Sequence, residues 1–244
     1  MRFNGQWAAD YLRRMVIPDF HAFAEVVTKR VLPTFDTFGT EALKRGEEHF
    51  RAHAGNLDPQ DDEQFEAASY VADEALDETF AYADMLVSMY FASIGLYSVG
   101  LSHLFEQHAA DLALRLLETD SHDDEIKLRK VIEWLKTELS VDVEAFASWP
   151  TIKELRLVAN TVKHAQGDSA VRLRLVRPDL FIHPSRREGG EAPEHNSRVR
   201  KPLFGEDLYL TPDDFSRYAQ GAIDFWSELA EALAKATPIR WVKG

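Results

Sequence analysis

The chain has 244 residues, of which 45% are hydrophobic and 28% are charged, a composition typical of a globular protein. The absence of cysteine excludes disulfide bonds, thiolate metal ligands and cysteine nucleophiles. A net charge of −13 argues against general binding to nucleic acid through its phosphates, and we predict no binding to DNA.

The N-terminal quarter of the chain carries two helix signals and no pattern of a secretory signal. No apolar core precedes a small-residue cleavage site, and together with the missing cysteines this predicts a cytoplasmic protein. Ile17-Pro18-Asp19 predicts the start of a first helix with proline in its first turn, and Pro33 interrupts that helix. A second helical stretch runs to a stop at Gly55-Asn56.

A very long helical region follows, from a cap at Asp58-Pro59 to about residue 118. Because this length is unusual in a globular protein, we expect a turn or kink between Ser93 and Gly100. The stretch Met85–Leu104 has no formal charge apart from His103, but the Lys or Arg anchors of a membrane span are missing. Small residues recur along it every three or four positions, which predicts the central buried helix of a bundle, with no membrane contact.

The next elements are shorter helices. Ser121 and Asp124 form a capping-box-like start for a helix with a clear apolar stripe. A helix over about 151–165 follows Trp149-Pro150 and is expected to end at Gly167, and Asp168 or Ser169 can cap another helix that ends before Pro178.

The last part of the chain combines an irregular arm with a strong helix. Prolines and glycines interrupt residues 178–206, and we predict an irregular arm over about 178–210. Thr211-Pro212-Asp213-Asp214 then opens a helix with one apolar face. No internal repeat is present. The sequence therefore predicts an all-α helical bundle with one irregular arm, formed by a single domain over residues 1–244.

The charge is unevenly distributed. Residues 153–201 carry eleven Lys and Arg against six Asp and Glu, a local charge of +5, while the remainder of the chain carries −18. A basic segment on an acidic body is compatible with contact to RNA and equally with contact to the acidic surface of a second copy.

Three polar side chains lie in one row within this basic segment. At about 100° per residue, Arg156, Asn160 and His164 fall within an arc of about 80° on the predicted helix 151–165. They combine a fixed cation, an orienting amide and an imidazole that exchanges protons near neutral pH. The alternative is a solvated helix face, on which Lys163 and His164 favour the negative C-terminal end of the helix dipole.

The segment Asn160-Thr-Val-Lys163-His164, followed by Gly167 and a short helix, resembles the motif helix of the HEPN superfamily. The resemblance extends to the arrangement of roughly residues 60–236 and implies a HEPN-like core there. The spacing between Arg156 and His164 is longer than in the usual motif of that superfamily.

By this resemblance, the chain is expected to be a metal-independent endoribonuclease of the toxin–antitoxin or defence type, with its active site across a homodimer. His164 would transfer protons, Arg156 would stabilise phosphate charge, and Asn160 would orient His164 or the RNA. We expect the neighbouring basic residues Lys163 and Arg172 to bind the substrate. Other members of the superfamily are catalytically silent and act through protein partners, which is the alternative function.

A metal site is the remaining alternative. His49 and His53 are four residues apart, and a second group contains His103, Glu106, His108 and Asp111. Neither group completes a known zinc or di-iron pattern. We therefore predict ordinary surface histidines, with no metal and no cofactor.

Overall fold

A computed structural model describes residues 4–57, 60–117, 128–187 and 207–236. This part of the chain is all-α, as predicted, and contains no strand. The predicted caps at Asp58-Pro59 and Ser121 with Asp124 lie outside the described residues. The helices are α1 (Gly5–Tyr11), α2 (Ile17–Val26), α3 (Phe38–Ala54), α4 (Asp62–Leu117), α5 (Leu128–Leu139), α6 (Trp149–His164), α7 (Asp168–Val176), α8 (Pro184–Arg187) and α9 (Pro212–Lys235).

The N-terminal helix α1 is the element that the sequence patterns missed. Its N-cap is Asn4, whose side chain accepts a hydrogen bond of 2.9 Å from the backbone N–H of Trp7. The buried residues Ala8, Ala9 and Leu12 then anchor the helix to α9. The sequence could have predicted this helix, because an Asn N-cap is followed by apolar residues at helical spacing.

Helix α2 begins at Ile17 with Pro18 in its first turn, as predicted, but no break separates it from α1. A π-helical turn, Leu12–Val16, joins α1 to α2 without a break, and the Ile17 N–H bonds the Leu12 carbonyl five residues back. The widened turn accommodates a proline that lacks an N–H and whose ring would crowd a regular α-helical turn. A second π turn, Val27–Val31, precedes Pro33 in the same way.

Helix α4 is continuous over its 56 residues, so the turn expected between Ser93 and Gly100 is absent. At 1.5 Å per residue it is about 84 Å long. Among the described residues, it is the one helix that is long and apolar enough to cross a membrane, judged by length and composition. A third of its most apolar window, 33%, is buried inside the protein.

The small residues of α4 allow other helices to approach it closely. A Cβ atom added at Gly95 would lie 3.3 Å from Val162 of α6, and one added at Gly100 would lie 3.2 Å from Phe23 of α2. Ser98 is fully buried. From Phe91 onward the predicted burial holds for one side of α4, whereas Leu96 is 64% exposed, and Met85 and Met89 before it are 47% and 51% exposed.

The described residues form two regions. The body comprises α1, α2, α4 from Phe91 onward, α5 to α7 and α9, and it contains the main hydrophobic core. The aromatic rings of Phe20, Phe105, Phe225 and Trp226 pack together at its centre, with centroid separations of 4.8–6.4 Å. The hairpin comprises α3 and α4 up to Tyr90, and it contributes no fully buried residue to that core.

Helix α9 is the element that the sequence predicted best. Thr211 and Asp214 form a complete capping box, in which each side chain accepts a hydrogen bond from the other residue's backbone N–H. The predicted apolar face is buried along its whole length, at Phe215, Tyr218, Ala219, Ala222, Trp226, Leu229 and Leu233.

The first part of the predicted irregular arm is packed against the body. A 3-10 turn, Pro178–Phe181, and the short α8 occupy it, and Leu180 is fully buried. The backbone N–H of Tyr209 donates a 2.8 Å hydrogen bond to the Leu180 carbonyl. The arm therefore begins as ordered helical turns, and residues 188–206 lie outside the described residues.

Candidate functional site

Helix α6 carries the predicted catalytic row, and it packs against α4, α7 and α9. Its apolar side contains Leu155, Val158 and Ala159, which are buried, and Val162, which is half-buried. Close contact with α9 depends on Gly221, because a Cβ atom there would lie 2.4 Å from Cγ2 of Thr151. These contacts leave the polar row of α6 beside α4 and solvent.

The three residues of the row have different environments. Arg156 is 39% exposed, and its Nε lies 3.5 Å from Oε1 of Glu106 on α4. Asn160 is half-buried and His164 is exposed. Since Arg156 and His164 are eight residues apart, their Cα atoms are separated by about 12 Å along the helix axis. Helical side chains lean toward the N-terminus at both positions, so this lean does not bring Arg156 and His164 closer together.

Helix α6 ends at His164, three residues before the predicted stop at Gly167. The turn is made by Ala165, whose φ of 55° is unusual for a residue with a side chain. The Ala165 methyl group is buried against Ala170 and Phe181, which explains why this position is not glycine. Gly167, in contrast, has extended backbone geometry.

The two predicted substrate-binding residues, Lys163 and Arg172, are both exposed. Lys163 is adjacent to His164 at the end of α6, and Arg172 lies on α7, the next helix. Arg177, the residue that follows α7, is not exposed in the same way. Its side chain is only 20% exposed, and carboxylates surround it.

Arg177 is the centre of a polar network that joins α6, the end of α7 and the start of α9. Its guanidinium donates hydrogen bonds to Glu154 at 2.6 Å, to Asp179 at 2.7 and 2.8 Å, and to Asp214 at 2.6 Å. Glu154 also accepts hydrogen bonds from Tyr218, at 2.7 Å, and from Arg217. Two cations thus face three carboxylates, and Arg177 is not available to an external phosphate.

The network changes the pKa values of its members. The hydrogen bond from Arg177 lowers the pKa of Asp179. Burial alone would raise the pKa of Glu154, but hydrogen bonds from Arg217, Tyr218 and Arg177 outweigh it and lower that pKa. Burial beside Glu154 raises the pKa of Tyr218. Because their pKa values are lowered, Glu154 and Asp179 are ionised at neutral pH and accept these hydrogen bonds as carboxylates.

No local pattern could have revealed this network, because its members are far apart in the sequence. Arg177 is 23 residues from Glu154 and 37 residues from Asp214. Only the Thr211–Asp214 capping box could be predicted from the sequence, and it accounts for the position of one carboxylate, that of Asp214.

The residues of the two histidine groups make pairwise contacts. In the described parts of the chain, no three or more His, Asp or Glu residues are arranged to hold a metal ion. The rings of His49 and His53 stack at 4.4 Å, and Nε2 of His49 lies 3.8 Å from a carboxylate oxygen of Glu74. Nε2 of His108 lies 3.2 Å from a carboxylate oxygen of Asp19.

The hairpin exposes large apolar side chains on several sides of its helices: Tyr70, Met85 and Met89 lie elsewhere on α4, while five others share one side at 100° per residue. We call this the hairpin face: Leu43 and Phe50 of α3, and Phe65, Leu76 and Phe80 of α4. These residues are between 37% and 64% exposed. Leu43, Phe50 and Leu76 also line a groove of about 620 Å³ between the two helices. The sequence patterns did not indicate this face.

Small residues hold α3 and α4 together beneath this face. Ala42, Gly46 and Ala54 of α3 are buried, and between Asp62 and Tyr90 of α4 only Ala75 is buried. A Cβ atom at Gly46 would lie 1.9 Å from Oγ1 of Thr79, so the two backbones approach closely. The large side chains are therefore not needed for the contact between the two helices.

Comparison of the chain with protein-family models, with curated proteins and with solved structures finds no match. The sequence and the geometry of its residues therefore carry the functional argument.

Proposed function

We propose that this protein is a catalytically silent helical interaction protein that binds a protein partner through the hairpin face. The single observation that carries the proposal is the set of five large apolar side chains exposed together on α3 and α4. Three of them, Leu43, Phe50 and Leu76, line one groove. Exposed apolar surface is typical of protein-binding sites, because its burial in a complex removes it from water.

The construction of the hairpin supports this proposal. Its internal contact uses alanine and glycine, while leucine and phenylalanine point to solvent. A hairpin that served only its own stability would gain more by burying the larger side chains, at about 25 cal/mol per Å². The arrangement keeps this apolar area for a partner.

The α6 row supports the same proposal more than it supports catalysis. Arg156 already faces the carboxylate of Glu106, which competes with any phosphate. Asn160 and His164 make no hydrogen bond or ion pair with other described residues, so neither orients the other. A working proton-transfer group is normally oriented by a hydrogen-bond partner.

A HEPN-like endoribonuclease is the second candidate, and the accessibility of the row favours it. The side chains of Arg156 and His164 reach solvent on the same helix, with Lys163 beside them, on the basic segment of an acidic chain. In this candidate, His164 transfers protons during attack of the ribose 2′-hydroxyl, RNA is the substrate, and a homodimer brings two rows together.

Two measurements on the purified protein and its natural cells separate the candidates. The interaction proposal predicts that the purified protein cleaves none of the RNAs in a broad panel. It also predicts that proteins which bind the wild type in an affinity purification from these cells do not bind the Phe80→Glu variant. Leu175→Glu is the matched control, because Leu175 is 80% exposed but lies on α7 of the body. RNA cleavage that chelators do not inhibit and that His164→Ala abolishes would establish the nuclease instead.

A further inference from the structure

We propose that the partner of the hairpin face is a basic amphipathic helix of another protein, which lies in the groove between α3 and α4. This inference rests on the proposed function, since it names the partner of the same surface. Its support comes from the shape of the groove, from the position of the body at one end of it, and from the acidic residues that border it.

The shape of the groove fits a third helix. Its walls are antiparallel, because Arg45 pairs with Glu78, while His49, one turn further along α3, lies 3.8 Å from Glu74, one turn earlier on α4. The lining residues of α3 run from Leu43 to the adjoining Gly55, about 18 Å at 1.5 Å per residue. A helix of about three turns therefore fits along the groove, and its apolar side would bury the exposed side chains of both walls.

The body closes one end of the groove. Ile94, Leu101 and Phe105 are buried in the body, and at 100° per residue they lie on the same side of α4 as Leu76. A partner can therefore extend past the groove only at the outer end, near Gly55. This geometry suits a single helix, which is narrow enough to lie beside the body, better than a broad globular surface.

The charge of the hairpin specifies a basic partner. Between Asp62 and Tyr90, α4 carries eight Asp and Glu and no Lys or Arg. Helix α3 is neutral, with three acidic and three basic residues. Two of these basic residues, Lys44 and Arg45, already pair with the carboxylates of Glu48 and Glu78. The two helices of the hairpin therefore have a large excess of carboxylates.

Five of these carboxylates border the hairpin face. At 100° per residue they follow one edge of the apolar stripe of α4, and all five are exposed. They are Asp62, Glu66, Asp73, Asp77 and Asp84. None of them forms an ion pair with another residue in the described part of the chain. Lys and Arg side chains of a partner helix would pair with this edge, and such exposed pairs select the partner more than they add affinity.

The same charge disfavours other occupants of the groove. A second hairpin carries the same excess of carboxylates, so two hairpins repel each other. An anionic lipid surface and an acidic helix are repelled for the same reason. A helix with leucine or phenylalanine on one side and Lys or Arg along its edge matches both the apolar groove and its acidic border.

Fluorescence anisotropy with the purified full chain tests the proposal. The probe is a labelled synthetic peptide of Leu and Lys, amphipathic as a helix and long enough for about five turns. An ionic strength of about 0.15 M screens charges that are more than about 8 Å apart. The wild type is expected to bind the peptide. Asp73→Lys with Asp77→Lys should weaken the Kd on the order of tenfold, and Phe80→Glu should also weaken it.

Controls separate binding at the groove from general attraction to an acidic protein. Asp224→Lys with Glu231→Lys makes the same change in net charge on the exposed side of α9, and it should change the Kd by less than about twofold. A peptide with Glu in place of Lys should not bind, and a scrambled peptide of the same composition should bind more weakly. Circular dichroism should show each variant as helical as the wild type.

Several results would overturn the basic-helix inference. They are a wild type that does not bind the peptide, an equal loss of binding in the α9 control, or equal binding of the Glu or scrambled peptide. A wild-type dimer in sedimentation equilibrium that Phe80→Glu dissociates would make a second copy the occupant. If Phe80→Glu still removes bound proteins from the affinity purification in any of these cases, the proposed function stands. If it removes none, both proposals fail.

Discussion

The body and the hairpin fill their interiors with different side chains. In the body, large aromatic side chains such as Phe105 and Trp226 are buried at the centre. In the hairpin, small residues such as Gly46 and Ala75 are buried, and large ones such as Phe80 are exposed. Both regions expose apolar side chains, Leu175 of the body among them, so the hairpin differs in having no large side chain buried between its helices.

The largest loss of stability is expected from a change in the polar network around Arg177. Arg177→Met should lower the free energy of unfolding by about 3–5 kcal/mol, because it leaves Glu154, Asp179 and Asp214 without their shared cation. Urea denaturation followed by circular dichroism measures this loss. Arg172→Met, on the exposed side of α7, is the control and should change stability by about 0.5 kcal/mol or less. Equal losses in the two variants would contradict the central role of Arg177.

The close approach of α6 and α9 predicts the next largest loss of stability. Gly221→Ala should destabilise the body by about 1–3 kcal/mol, because its new methyl group overlaps the side chain of Thr151. Adding Thr151→Ala should recover part of this loss. A variant as stable as the wild type in the same denaturation experiment would show that the two helices separate without cost.

Acid should weaken the body through the same network. The pKa values of Asp179 and Glu154 are lower in the folded protein than in the unfolded chain. Their contribution is therefore fully present above their unfolded pKa values, about 4, and is lost as the pH falls through the folded values. The stability difference between wild type and Arg177→Met should shrink over this range. A difference that stays constant from neutral pH down to about pH 3 would contradict the assignment.

The smallest effect on global stability is expected in the hairpin. Gly46→Ala should force α3 away from α4, because its methyl group meets Thr79 and the carbonyl of Ala75. Amide hydrogen exchange should accelerate in α3 while the body keeps its protection. Gly39→Ala is the matched control, because nothing lies within 4 Å of a Cβ atom there. Uniform acceleration across both regions would show that the hairpin and the body unfold together.

The sequence predicted what depends on local spacing. The Thr211–Asp214 capping box and the buried face of α9 were correct, and so was the apolar side of α6, because caps and helical periodicity are properties of neighbouring residues. The helix start at Ile17-Pro18 was also correct, whereas the π turn that joins it to α1 was missed, because such turns have no simple sequence pattern.

Contacts between distant segments could not be predicted in the same way. The row of Arg156, Asn160 and His164 was placed on one helix correctly, but its neighbour Glu106 becomes visible only when α4 packs on α6. The burial of Arg177 likewise depends on carboxylates from two other helices. The hairpin face was missed because whether an apolar stripe is covered depends on tertiary packing.

Because α4 is continuous, a tilt of its outer part is transmitted to its inner part. Its outer part, from Asp62 to Tyr90, extends about 43 Å from the body, so a tilt of about 5° at Phe91 displaces the Asp62 end by about 4 Å. An uninterrupted helix transmits such a tilt as a torque on the side chains packed around Ile94 and Leu101, because it has no hinge to absorb the motion. A molecule that pulls on the hairpin therefore strains the aromatic core directly.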